Sequence, residues 1–178
     1  MTSPKSIIVR NLPLRAILAG TALTFALSFV AKTADAGKST KIDKAFRGQI
    51  IISDDALPAP DGADEKSTIK SYKSLRKTVI VSAETDGVAS WNFHFTAFTK
   101  SKPKTSNLTL EFYTDDKEKL FVADKRLSGA DPNLSILASS VRISEDENVN
   151  RGRKYILKLV AKQGKKDVTL ATTKISTK

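Results

Sequence analysis

The chain has 178 residues, with 30 basic and 19 acidic side chains, a formal net charge of +11 and no cysteine. Without cysteine there is no disulfide framework, no cysteine zinc site and no lipid-modified cysteine, so a folded domain must rest on its apolar core alone. The positive surplus favours encounters with anionic surfaces such as lipopolysaccharide, phospholipid headgroups, acidic glycans or nucleic acid, without choosing among them.

The amino terminus carries Lys5, Arg10 and Arg15, then an apolar run from Ala16 to Ala31, then the small-residue triplet Ala34-Asp35-Ala36 before Gly37. This three-part order predicts a secretory signal peptide over residues 1–36, cut after Ala36. The apolar run falls short of the roughly 20 residues that span a bilayer, which sets aside the rival reading of a retained anchor. Export without cysteine suits a bacterial periplasmic or secreted protein better than a eukaryotic extracellular one, where small domains more often carry disulfides. Residues 37–45, small, polar and lysine-rich, read as a flexible leader, and residues 46–178 as one domain.

The first predicted strand is Phe46 to Ser53, with Phe46, Ile50 and Ile52 on one face and Ile51 on the other. Prolines and aspartates then make a loop from Asp54 to Gly62. Ile69, Tyr72 and Leu75, three apart, predict a short amphipathic helix between Ala63 and Lys77, with Asp61 or Asp64 as its cap. Two extended runs, Thr78 to Ala83 and Val88 to Thr99, flank Asp86-Gly87, a hairpin signal. The second run puts Trp91, Phe93, Phe95 and Ala97 on one face, and it reads as the central core strand. Further strands follow from Leu108, from Leu120 and from Ser135. Lys154 opens another, and Val168 to Ser176 is the last.

In the penultimate strand Tyr155, Leu157, Leu159 and Ala161 form an apolar row, directly after the polar turn around Gly152. A tyrosine three residues after a turn glycine, opening a late strand, resembles the tyrosine corner of immunoglobulin-like and fibronectin-III-like sandwiches. That resemblance implies a hydroxyl tied to backbone between Asn148 and Gly152. With seven or eight short strands and turns every 8 to 12 residues or so, the expected fold is all-β: an immunoglobulin-like antiparallel sandwich with one short helix inserted after the first strand. The family's paired core cysteines are absent.

Catalytic chemistry is poorly represented. The single histidine, His94, sits mid-strand beside Asn92 and Thr96, and no second histidine can join it in a metal site; a strand histidine is the simpler reading. There is no G-x-S-x-G elbow, Walker A loop or G-x-G-x-x-G run. Carboxylates gather in three turns: Asp54 with Asp55; Asp115 and Asp116 with Glu118; and Glu145, Asp146 and Glu147, followed by Asn148 and Asn150. The last group offers hard oxygen ligands to calcium, although it lacks the spaced order of an EF-hand loop; solvated turn residues are the simpler reading. Asp54 with Asp55, or Asp115 with Glu118, are alternative acid pairs. Lys100, Lys102 and Lys104 share one loop, and Lys162, Lys165 and Lys166 another. The aromatics follow the buried-face alternation, which disfavours nucleic-acid binding.

The sequence thus predicts an exported, non-enzymatic binding or structural module with no cofactor. Its partner would be an envelope or extracellular protein, or an anionic glycan or membrane surface. Two alternatives come from other classes: a small secreted hydrolase using a carboxylate pair, and a periplasmic chaperone or inhibitor that pairs with partner strands.

Overall fold

A computed structural model describes residues 40–58 and 64–178. The predicted signal peptide and its cleavage point lie outside the described residues.

The described chain opens with a helix, α1 (Lys41–Phe46), over residues whose small, polar, lysine-rich composition predicts a flexible leader up to residue 45. Thr40 and Asp43 form a reciprocal capping box, and Ile42 and Phe46, one turn apart, bury the same face. Gly48 then takes φ +76°, and the chain turns sharply into β1 (Gln49–Ser53). A Cβ at Gly48 would lie 2.8 Å from Lys100 Cε. Along β1, Ile50 and Ile52 face the main core, while Ile51 joins Ile42, Phe46, Tyr72 and Phe98 in a smaller cluster beneath the helices. Phe46 therefore packs opposite to the face that strand alternation assigned it, because it belongs to a helix.

The predicted inserted helix is α2 (Glu65–Leu75), capped by Asp64, whose carboxylate accepts the Lys66 N–H. Tyr72 anchors it between Phe46 and Phe98, and its hydroxyl donates to the Pro58 carbonyl at 2.5 Å. The run after α2 divides into β2 (Val79–Ile80) and β3 (Ala83–Thr85), which pair with different partners. A tight turn through Asp86 and Gly87, both at positive φ, returns β3 into β4 (Val88–Phe98).

The remaining strands are β5 (Leu108–Thr114), β6 (Phe121–Leu127), β7 (Ile136–Ser144), β8 (Lys154–Gln163) and β9 (Lys166–Thr177). A short 3-10 turn, Glu145–Glu147, follows β7. All nine strands belong to one curled sheet. One wing runs β7-β4-β1 and the other β9-β8-β5-β6. The wings join where β1 meets β9 at Gln49↔Thr172 and where β2 meets β9 at Val79↔Ser176 and Ile80↔Thr177. Both joints are parallel, so the sheet is mixed and not purely antiparallel as expected. The reason is that residue alternation encodes which face is dry, not strand direction, and strands from opposite ends of a chain need no tight turn between them.

Both wings feed the main core. Trp91, Phe93 and Phe95 of β4 meet Leu108, Leu110 and Phe112 of β5, and Leu157 and Leu159 of β8. Trp91 is fully buried, and its indole N–H donates to the Lys178 carbonyl at 3.1 Å.

Candidate functional site

The turn before β8 is tied by several hydrogen bonds. Tyr155 is buried, and its hydroxyl accepts the Asn150 N–H at 2.8 Å, within the predicted stretch from Asn148 to Gly152. The Asn150 carbonyl is bonded by Thr177 Oγ1 at 2.6 Å, and the same oxygen accepts the Arg153 N–H at 3.2 Å. Tyr155 and Thr177 thus hold the turn between them, from β8 and from the end of β9.

Outside this corner lies a cleft of about 370 Å³, lined by residues that include Asp115, Asp116, Asn148, Asn150, Arg153 and Lys154. The fold therefore brings two of the three carboxylate turns to one end of the molecule. The two acids that line it are already engaged. Asp115 accepts Lys174 Nζ at 2.8 and 3.0 Å. Asp116 Oδ1 accepts the Lys119 and Glu118 N–H groups and the Thr114 hydroxyl, pinning the β5–β6 turn. The backbone bond from Lys119, then the Thr114 hydroxyl, hold the Asp116 carboxyl below the usual carboxylate value. Such a group carries no proton to donate near neutral pH.

Several of the calcium candidates have partners of their own. Glu145 pairs with Arg151 at 3.4 Å, and Glu147 pairs with Lys125 and accepts the Ser144 N–H. The Asn148 carbonyl accepts Asn150 Nδ2, and Asp146 is exposed. Among the described residues no group of three or more acidic, histidine or cysteine residues is placed to hold a metal ion. Asp54 pairs with Lys77 at 2.8 Å, far along the chain from the cleft's acids. His94 is partly buried in mid-sheet, opposite Ser140 on one side and Ser53 on the other.

Two features escape residue-by-residue reading. On the outer face of the second wing, Tyr113 and Phe121 stack edge to face at 5.8 Å, with Lys158 Nζ 3.8 Å above the Tyr113 ring. The Tyr113 phenol donates to Glu111 at 2.8 Å, and burial, followed by that bond and the charge of Glu111, pushes its pKa up to about 12. The second feature is the edge of the first wing. β7 pairs with β4 along its whole length and, among the described residues, with no other strand. Thr99 N–H donates to Ser135 O, which makes that pair hydrogen-bonded. By antiparallel alternation, Ala138, Ser140 and Arg142 then turn their N–H and C=O groups outward. The other edge, β6, carries Asp124, Lys125 and Arg126 in succession, whereas β7 carries the single charge Arg142. Charged residues guard an edge against pairing, and β7 is the less guarded.

No family model, curated protein or solved structure matches this chain.

Proposed function

We propose that the chain is an exported, non-enzymatic binding module of immunoglobulin-like type, which takes an extended partner segment onto the β7 edge. Three features support the fold part of this reading. The wings β7-β4-β1 and β9-β8-β5-β6 of the curled sheet supply strands for the two leaves of such a sandwich, the first strand pairs with both wings, and a buried tyrosine hydroxyl clamps the turn into the penultimate strand. The functional part is carried by one observation: β7 is nine residues long, lacks proline, and exposes backbone donors and acceptors with one charged side chain among them. A partner strand added there gains main-chain hydrogen bonds, while side chains alternate towards the core rim and towards solvent. The hydrolase alternative is weakened because the cleft's carboxylates are salt-bridged or held deprotonated.

The test uses Ser140→Pro. Proline is tolerated on an edge where its missing N–H would have faced solvent, so the β4 ladder and the melting temperature should be nearly unchanged. Partners retained by the wild-type protein from envelope extract should be lost by the variant, and the amides of Ala138 and Arg142 should gain exchange protection on binding. Retention that is indifferent to Ser140→Pro would refute the edge as the binding surface.

A further inference from the structure

The two lysine loops, far apart in sequence, are stitched into one rim. Gln163 Nε2 donates to the Pro103 carbonyl at 2.7 Å, Lys162 N–H to Asn107 O at 3.1 Å and Lys100 N–H to Leu170 O at 3.0 Å. The Arg47 guanidinium donates twice to the Lys100 carbonyl, at 2.8 and 3.2 Å, and so serves as a clasp for the loop. Lys100, Lys102, Lys104, Lys162, Lys165 and Lys166 are all exposed there, and none forms an ion pair with a described acidic residue. The carboxylates near this rim are Asp167, across the strand pair from Lys162, and Asp131, whose Oδ1 accepts the Asn133 N–H.

The strands run end to end, and the opposite end has the other character. It gathers Glu84, Asp115, Asp116, Glu145 and Glu147, and there Arg151 pairs with Glu84 and Glu145, and Lys174 with Asp115. Charge is therefore compensated at the cleft end and uncompensated at the lysine end. A molecule polarised from one end of its strands to the other is turned lysine end first by an extended negative surface.

We infer that the lysine rim docks on an anionic lipid bilayer, with the strands standing away from the membrane and the β7 edge left free. The chemistry favours a bilayer over nucleic acid. Lysine is a hydrated point charge suited to diffuse attraction, whereas arginine forks and stacking aromatics serve nucleic-acid recognition. The loop from residue 100 to 107 and the turn from 162 to 167 contain neither type. This inference stands apart from the β7 proposal and survives its failure.

The experiment is vesicle co-sedimentation of the protein as the host processes it. Vesicles of phosphatidylcholine alone are compared with vesicles that also contain phosphatidylglycerol. Each basic residue near an anionic surface contributes enough that removing three lowers the partition coefficient on the order of a hundredfold. Lys100→Gln/Lys102→Gln/Lys104→Gln and Lys162→Gln/Lys165→Gln/Lys166→Gln should each show that loss. Lys66→Gln/Lys70→Gln/Lys73→Gln on α2, with the same change in net charge, should lose far less. About 1 M salt, which shortens the screening length to about 3 Å, should abolish binding. Equal binding to neutral vesicles, equal loss in the α2 triple, or binding to duplex DNA or heparin without binding to anionic vesicles would each overturn the assignment.

Discussion

Replacing Tyr155 by phenylalanine removes one oxygen from the corner and leaves the ring in place. The bond at stake has a definite polarity: the hydroxyl accepts the Asn150 N–H at 2.8 Å, while its own proton lies towards the Asn150 carbonyl at a long 3.5 Å, an oxygen already served by Thr177 at 2.6 Å. The main loss is thus a single acceptor for a single amide. An unsatisfied buried donor costs roughly 1 to 3 kcal/mol. Asn150 is exposed and water can reach part of the turn, so the lower end applies, about 1 kcal/mol, equivalent to a fall of about 3 °C in Tm for a domain of this size. Tyr155→Ala loses the buried ring as well, for about 3 to 5 kcal/mol in all. Urea denaturation at an unchanged slope measures both. If Tyr155→Phe has the midpoint of the wild-type protein, the hydroxyl does not hold the corner and the reasoning fails.

Three further outcomes are expected. Thr177→Val removes the donor to Asn150 O and the acceptor for Arg153 N–H at a site 1% exposed, so it should cost about 2 to 4 kcal/mol. Combined with Tyr155→Phe it should be non-additive by at least about 0.5 kcal/mol, since both act on Asn150, and a strictly additive double-mutant cycle would count against the shared clamp. Phe93→Ala should destabilise by about 3 to 5 kcal/mol in a core with no cysteine cross-link, and unchanged thermal melting would contradict the packing of β4. Asp116 has its carboxyl pKa lowered in the fold, so its stabilising bonds are fully present above the unfolded carboxylate value and are lost as pH falls through the folded one. Exchange of the Lys119 amide should therefore accelerate on acidification, and Asp116→Asn should remove that pH dependence.

The parts of the fold that a two-residue period can encode are legible in the sequence. The dry face of β4, the row from Tyr155 to Ala161, the Asp-Gly hairpin and the inserted helix all follow from spacing and turn chemistry. The hydroxyl of Tyr155 also lands on the expected stretch of backbone. What local pattern could not carry is pairing direction, so the parallel contacts of β9 with β1 and β2 went unseen. The helix α1 was hidden because its apolar signal is just Ile42 and Phe46 within a lysine-rich stretch. A sequence lists carboxylates without their partners, and Arg151, Lys125 and Lys174 answer several of those in the turns from other elements. The free edge of β7 and the merging of the two lysine loops depend on sheet order and on contacts such as Gln163 to Pro103, which no local window contains.

The joint between β1 and β9 also sets the tempo of folding. These strands come from opposite ends of the described chain, so the wings cannot be sealed to each other until the last strand has been formed. Pairings this distant in sequence require loop closure before any contact rewards it, which puts such topologies in the millisecond-to-second range. The hairpins β3–β4 and β8–β9 can zip early and locally, leaving the aromatic face of β4 uncovered in the interval. In that interval the chain is an open ribbon with a sticky inner surface, and the closing of β1 against β9 ends its exposure.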